Sequence, residues 1–230
     1  MKIAVIDTGS DGALPGEARA FLPKLLEGLT GEGIEAHLIR KDAPAENIYA
    51  QIAQSNPLLH ISLLRLDGLV EETAPAAADW LSELNPDVYL IWTADDTGWA
   101  VLPRLNPTIA TLTVGHADSE IYYVPTRHYR PFLTRVVGTT PEVCVGLVLS
   151  CVLDKERVEW ISYGELEGSN AASAGEEIQK IIETYRSCFE KAIEDAHAAP
   201  RATVADFPPL NTSRPASRSW FSKLKAKILN

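Results

Sequence analysis

Seven short apolar, largely β-branched runs recur along the chain: Lys2–Asp7, Glu35–Ile39, Leu58–Leu64, Val88–Trp92, Thr108–Val114, Arg135–Val137 and Val158–Ile161. Stretches of helical length separate most of them. Val88-Tyr-Leu-Ile-Trp92 has no polar alternation, the pattern of a strand buried on both faces. Glu17 to about Leu29 reads as a first helix closed by Gly31 and Gly33, although Pro23 inside it removes one backbone bond and is expected to kink it. Pro44–Gln54 and Pro75–Leu84 read as helices, the latter ending at Asn85-Pro86. Thr140-Pro141 is an N-cap followed by proline at the first helical position. The helix it opens, to about Leu153, is apolar nearly all round and is therefore expected to be central. Strands spaced by helices imply right-handed crossovers and a parallel sheet. The fold class is α/β, a Rossmann-like parallel sheet flanked by helices.

The clearest helical period comes last. Ser173-Ala-Gly-Glu176 forms a capping box. Ile178, Ile181, Ile182, Tyr185, Phe189, Ala192, Ile193 and Ala196 then repeat at helical spacing. One face of this long C-terminal helix must lie on the sheet domain.

Composition sharpens the outline. The 230 residues, 46% of them hydrophobic, can bury a substantial core. The formal net charge of −10 argues against non-specific nucleic-acid binding by the body. From residue 201 onward, six basic residues against Asp206 give +5, so residues 1–200 carry −15. Pro200, Pro208, Pro209 and Pro215, with Ser and Thr between them, mark a linker. The chain divides into 1–164, a Rossmann-like domain; 165–198, a linker and packing helix of the same domain; and 199–230, a basic Pro/Ser-rich tail. Within the tail, Trp220, Phe221, Leu224 and Ile228 flanked by lysines suit a short amphipathic helix over 218–230. The readings open for it are a frayed end, a partner-docking helix or peripheral contact with an anionic membrane. Cys144, Cys151 and Cys188 form no metal or redox motif and fit reduced, mostly buried thiols, so a cytoplasmic location is expected.

Candidate chemistry is sparse. The first strand runs into Thr8-Gly-Ser-Asp-Gly-Ala-Leu-Pro-Gly16 and then a helix, an order that cradles phosphates on backbone N–H groups. Gly9, Gly12 and Gly16 are the candidate phosphate-binding residues, with a tight structural turn as the competing reading. The loop is not G-x-G-x-x-G, and Arg40-Lys41 stand where an NAD site needs an acidic ribose ligand. His116 follows a buried strand in a polar loop with Asp118, Ser119 and Glu120. Asp118 or Glu120 there could take a proton from an acceptor hydroxyl. Asp95-Asp96-Thr97 could suggest a metal site, but an Asp just before Thr97-Gly-Trp99 reads as an N-cap. His37, His60, His128 and His197 are scattered and spell no zinc motif, so no metal site is expected.

Lys2 to Ala18, Val114-Gly-His-Ala-Asp-Ser-Glu120, Arg135-Val-Val-Gly-Thr-Thr-Pro-Glu-Val-Cys144 and Arg157-Val-Glu-Trp-Ile-Ser-Tyr-Gly164 together resemble the N-terminal half of a family 4 glycosyltransferase of the GT-B fold. The helix at 173–198 resembles that family's C-terminal helix, which crosses back to pack on the first domain. The resemblance implies that His116 supports the donor sugar and the departing charge, and that the glycine loop approaches the donor phosphates. Where the family has paired glycines, this chain has Gly16 followed by Glu17, a carboxylate that opposes an anion. Between Gly164 and Ser173, where the family places its donor-binding domain with an E-x7-E pair, this chain has only Glu165-Leu-Glu-Gly-Ser-Asn-Ala-Ala172.

Three classes of function follow. The chain is the acceptor-side domain of a glycosyltransferase-like system, inactive alone, with a donor-domain partner protein supplying the nucleotide sugar for a sugar or glycolipid acceptor. Alternatively it is a non-catalytic binding or scaffold protein derived from a glycosyltransferase, or an unrelated nucleotide-binding enzyme. No cofactor other than a nucleotide-sugar donor is implied.

Overall fold

The structure, a computed structural model, describes residues 1–7, 14–40, 48–64, 69–92, 96–163, 171–200 and 202, with 171–174 described by backbone alone. The strands are β1 Lys2–Asp7, β2 Glu35–Arg40, β3 Leu59–Leu63, β4 Val88–Ile91, β5 Ala110–Gly115, β6 Arg135–Gly138 and β7 Val158–Trp160. The helices are α1 Gly16–Gly31, α2 Ile48–Ser55, α3 Val70–Leu84, α4 Asp96–Ala100, α5 Glu120–Tyr129, α6 Pro141–Cys151 and α7 Ala171–Ala198. All strands join one parallel sheet in the order β3-β2-β1-β4-β5-β6-β7. Each expected apolar run therefore became a strand, because each is short, β-branched and bounded by turn residues.

Side-chain alternation along the strands builds two cores. Ile3, Val5, Leu38, Leu90, Trp92 and Leu112 face a layer formed by α1, α2 and α7. Ala4, Ile6, Tyr89, Ile91 and Val136 face α3, α4, α5 and α6. With both faces covered, near-continuous apolar strands are what the geometry requires.

α7 packs as its period predicts. Ile181, Ile182, Tyr185, Phe189, Ala192 and Ala196 are buried in the first core, and Ile178 and Ile193 lie against it. The helix begins at Ala171, so Ser173 sits inside its first turn and not at its cap. Close approach to α1 depends on Gly28, where any Cβ would overlap the Ile182 side chain. Arg135 at the start of β6 fastens the other end: its Nε donates to Asp195 on α7 at 2.6 Å and its Nη1 to Glu159 on β7 at 2.9 Å.

Three expectations change, and one helix, α5, is new. α1 runs through Pro23 as one helix, with the proline ring buried against the core. α3 begins five residues before Pro75, held by the Glu72 and Thr73 amides bonding the Leu69 carbonyl. α6 is not central: only Val143, Leu147 and Cys151 are buried, while Val145 and Leu149 are 57% and 73% exposed. Its hydropathy is spread round the helix, but the sheet covers one stripe. α5 follows Ser119, whose side chain accepts from the Ile121 amide, and it accommodates Pro125 within its length. The tail beyond Ala202 and the linker 164–170 lie outside the described residues. No helix among the described residues is long and apolar enough to cross a membrane.

Candidate functional site

In an open parallel sheet, ligands bind beyond the carboxyl ends of the strands where the strand order reverses. Here the reversal lies between β1 and β4, since β1 continues to β2 on one side and pairs with β4 on the other. Asp7 ends β1, Trp92 follows β4, His116 follows β5 and Tyr163 lies three residues beyond β7. The N-terminus of α1 rises beside them. The arrangement converges on His116.

His116 is 7% exposed. Its Nε2 donates to the Trp92 carbonyl oxygen at 2.7 Å, which leaves Nδ1 as an acceptor, and the Tyr163 hydroxyl donates to it. The rings of Trp92 and Tyr122 meet the imidazole edge-on at 4.8 and 5.6 Å, and Tyr163 stacks on it at 5.8 Å. Burial pushes the His116 pKa down to about 4, against a small opposing effect of the Trp92 carbonyl. His116 is therefore neutral at pH 7 with both nitrogens engaged. Tyr163 is held well above the ordinary phenol range, mainly by burial, with Tyr185 and Glu17 also contributing. Phe21 of α1 packs on Tyr163 at 4.8 Å, and the Trp92 indole donates to the Ala18 carbonyl at 3.2 Å. The strand ends, α1 and α7 thus share one aromatic hub.

The other candidates separate. Asp118 is exposed and accepts a hydrogen bond from Tyr123 at 2.8 Å, on the α5–α6 side of the sheet. Glu120 lies in the first turn of α5, 3.8 Å from Arg127. Gly16 is the first residue of α1, and a Cβ there would meet no described atom within 4 Å. Gly9 and Gly12 lie outside the described residues. Asp96 opens α4, while Asp95 is not described. At the neighbouring strand end Arg40 approaches Asp7 at 3.7 Å and lies over the Tyr49 ring at 5.0 Å. The arginine that stands in place of a ribose-binding acid is thus committed to the end of β1.

Sequence spacing missed two groupings. The first is Tyr163 on His116, a pairing across 47 residues. The second lies at the opposite ends of the strands, where the β2–β3 register sets His37 directly opposite His60. Glu35, two residues before His37 and so on the same face, contacts both rings. The hydrogen bond from His37 holds the Glu35 carboxyl below its usual range, and burial holds His37 below the usual imidazole range. A Glu-x-His alternation in one strand and a histidine in the next was the available signal, but it becomes readable only with the register known.

No protein-family model matches the sequence, and no curated protein matches it. Solved structures do match in shape. A sucrose-phosphate synthase structure from Thermosynechococcus elongatus, labelled with the spans 27–220 and 406–426, superposes with a TM-score of 0.55 at 13% identity. The match covers 83% of this chain and 98% of that one. The fold is GT-B glycosyltransferase-like. UDP-GlcNAc 2-epimerase from Neisseria meningitidis, bound to UDP-GlcNAc, matches at 15% identity and a TM-score of 0.51, over 81% of this chain and 52% of that one. A glycosyltransferase from Rickettsia africae matches at 14% identity and a TM-score of 0.49, over 80% of this chain and 49% of that one. The chain thus spans about half the length of the last two.

Proposed function

We propose that this chain is the acceptor-side half of a family 4 type GT-B glycosyltransferase system, and that it does not transfer sugar by itself. The observation that carries the reading is the path of the chain after β7. Only residues 164–170 separate Tyr163 from α7, which returns at once to pack on α1, β4 and β5. A segment of that length has no room for a donor-binding domain of its own. The match in shape to a sucrose-phosphate synthase piece, over 83% of this chain and 98% of that one, supports the same reading.

The chemistry agrees. Departure of a nucleotide diphosphate needs positive charge or aimed donors in a dry cleft. At these strand ends His116 is neutral with its N–H spent on Trp92, and Arg40 is directed at Asp7. In a completed cleft, His116 would orient the donor sugar from the aromatic hub, and Gly9, Gly12 and Gly16 would approach the phosphates. Asp118 is the weaker candidate for a base because its carboxylate already accepts from Tyr123. The engaged nitrogens of His116 also favour a second reading, a non-catalytic binding or scaffold protein on the same fold.

Purification from native extract, with identification of what co-purifies, tests the proposal. The expected companion is a polypeptide carrying a donor-binding domain, and mixing the two should produce sugar transfer. A stable heteromeric complex in which no component turns over a nucleotide sugar favours the scaffold reading.

A further inference from the structure

The geometry points to a binding site for one divalent transition-metal ion of the zinc class, formed by Glu35, His37 and His60 on the face of the sheet that α3 covers. His37 and His60 occupy register-paired positions of β2 and β3, and their rings stack at 4.6 Å with planes 22° apart. Glu35 Oε1 lies 2.7 Å from His37 Nε2 and 3.7 Å from His60 Nε2. The three candidate ligand atoms all lie within 4.8 Å of one another.

Two imidazoles and a carboxylate form a donor set suited to zinc and its neighbours in the first transition row. Ligands about 2.05 Å from a tetrahedral ion stand about 3.3 Å apart. The two observed separations bracket that value, so small side-chain rotations close the site without moving a strand. Trp80 of α3 meets the His37 ring edge-on at 6.2 Å and limits its swing. The cluster opens into a cavity of about 640 Å3, lined also by Ser62 and Glu83, which admits the ion and a water in the remaining position. Lys2, whose charge acts on Glu35 and His37, directs its Nζ to the Leu84 carbonyl at 3.3 Å. The site lies at the amino ends of the strands, away from His116. An ion there would tie edge strand β3 to β2.

Titration of the untagged full-length chain with zinc chloride, followed by calorimetry, tests the site, with cobalt(II) as a spectroscopic probe. The expected result is one ion per chain, a visible cobalt band of tetrahedral type and a raised melting temperature that a chelator reverses. His60→Ala, at a half-exposed position, and Glu35→Gln should each weaken binding at least about tenfold, while His197→Ala on α7 leaves it unchanged. Circular dichroism establishes that the variants fold. Binding absent from the wild-type chain, or present and unaffected by both His60→Ala and Glu35→Gln, overturns the site.

Discussion

Gly28 of α1 and Ile182 of α7 occupy the same space: the missing Cβ of the glycine is what lets the isoleucine side chain seat itself against the helix. Ile182 is 2% exposed, so it has little room to retreat. Gly28→Ala gains roughly 0.5–1 kcal/mol of helix propensity but overpacks by roughly 1–3 kcal/mol, and net destabilisation is expected. Adding Ile182→Val to Gly28→Ala should recover part of the loss, because neighbouring substitutions couple. Ile182→Asp places an unpaired carboxylate in the core and should destabilise the fold by several kcal/mol, or unfold it. Urea unfolding of the four proteins measures this. An unchanged midpoint for Ile182→Asp would mean that α7 is not packed on α1.

Arg135 secures the C-terminal end of α7 as Gly28 accommodates its middle. Its side chain is 12% exposed and joins Asp195 to Glu159. Hydrogen bonds to charged groups contribute about 1.5–3 kcal/mol when partly buried. Arg135→Ala should therefore lower stability by about that much and speed amide exchange in the last turns of α7 more than in β1. Uniform exchange across the chain would show that the contact has no local role.

Much of this fold was legible from apolar runs alone, because a sheet covered on both faces needs strands that are apolar throughout. Helix placement was less legible where proline intervened. Pro75 masked the first turn of α3, and Pro125 hid α5 although Ser119 caps it. α6 misled for a different reason: Val145 and Leu149 match core residues in hydropathy but point to solvent. His116 could be placed at a strand end from its sequence position. Its neutrality comes from burial, and the Trp92 and Tyr163 rings packed against it do not follow from local pattern. Pairing of His37 with His60 likewise needed the register of two strands.

The buried imidazole makes stability depend on pH. The His116 pKa falls from an ordinary 6.5 to about 4 in the folded chain. The unfolded state therefore binds the proton first as pH drops. The contribution is complete above pH 6.5 and is lost progressively down to about 4, amounting to roughly 3 kcal/mol at about 1.4 kcal/mol per unit. His116→Gln should remove that part of the pH dependence, leaving the similarly directed effect of His37 in both proteins. Denaturant unfolding at several values between pH 4 and 7 gives the comparison. Parallel curves for wild type and His116→Gln would mean that the imidazole titrates normally.

Sugar transfer by the purified chain tests the central claim most directly. Incubating the full-length protein alone with a panel of labelled nucleotide sugars and candidate acceptors, and measuring both transferred sugar and released nucleotide, gives the answer. The account predicts neither transfer nor saturable release, with activity appearing only when a second, donor-binding polypeptide is added. Turnover by the single chain, abolished by His116→Ala in a variant that still folds, would contradict it.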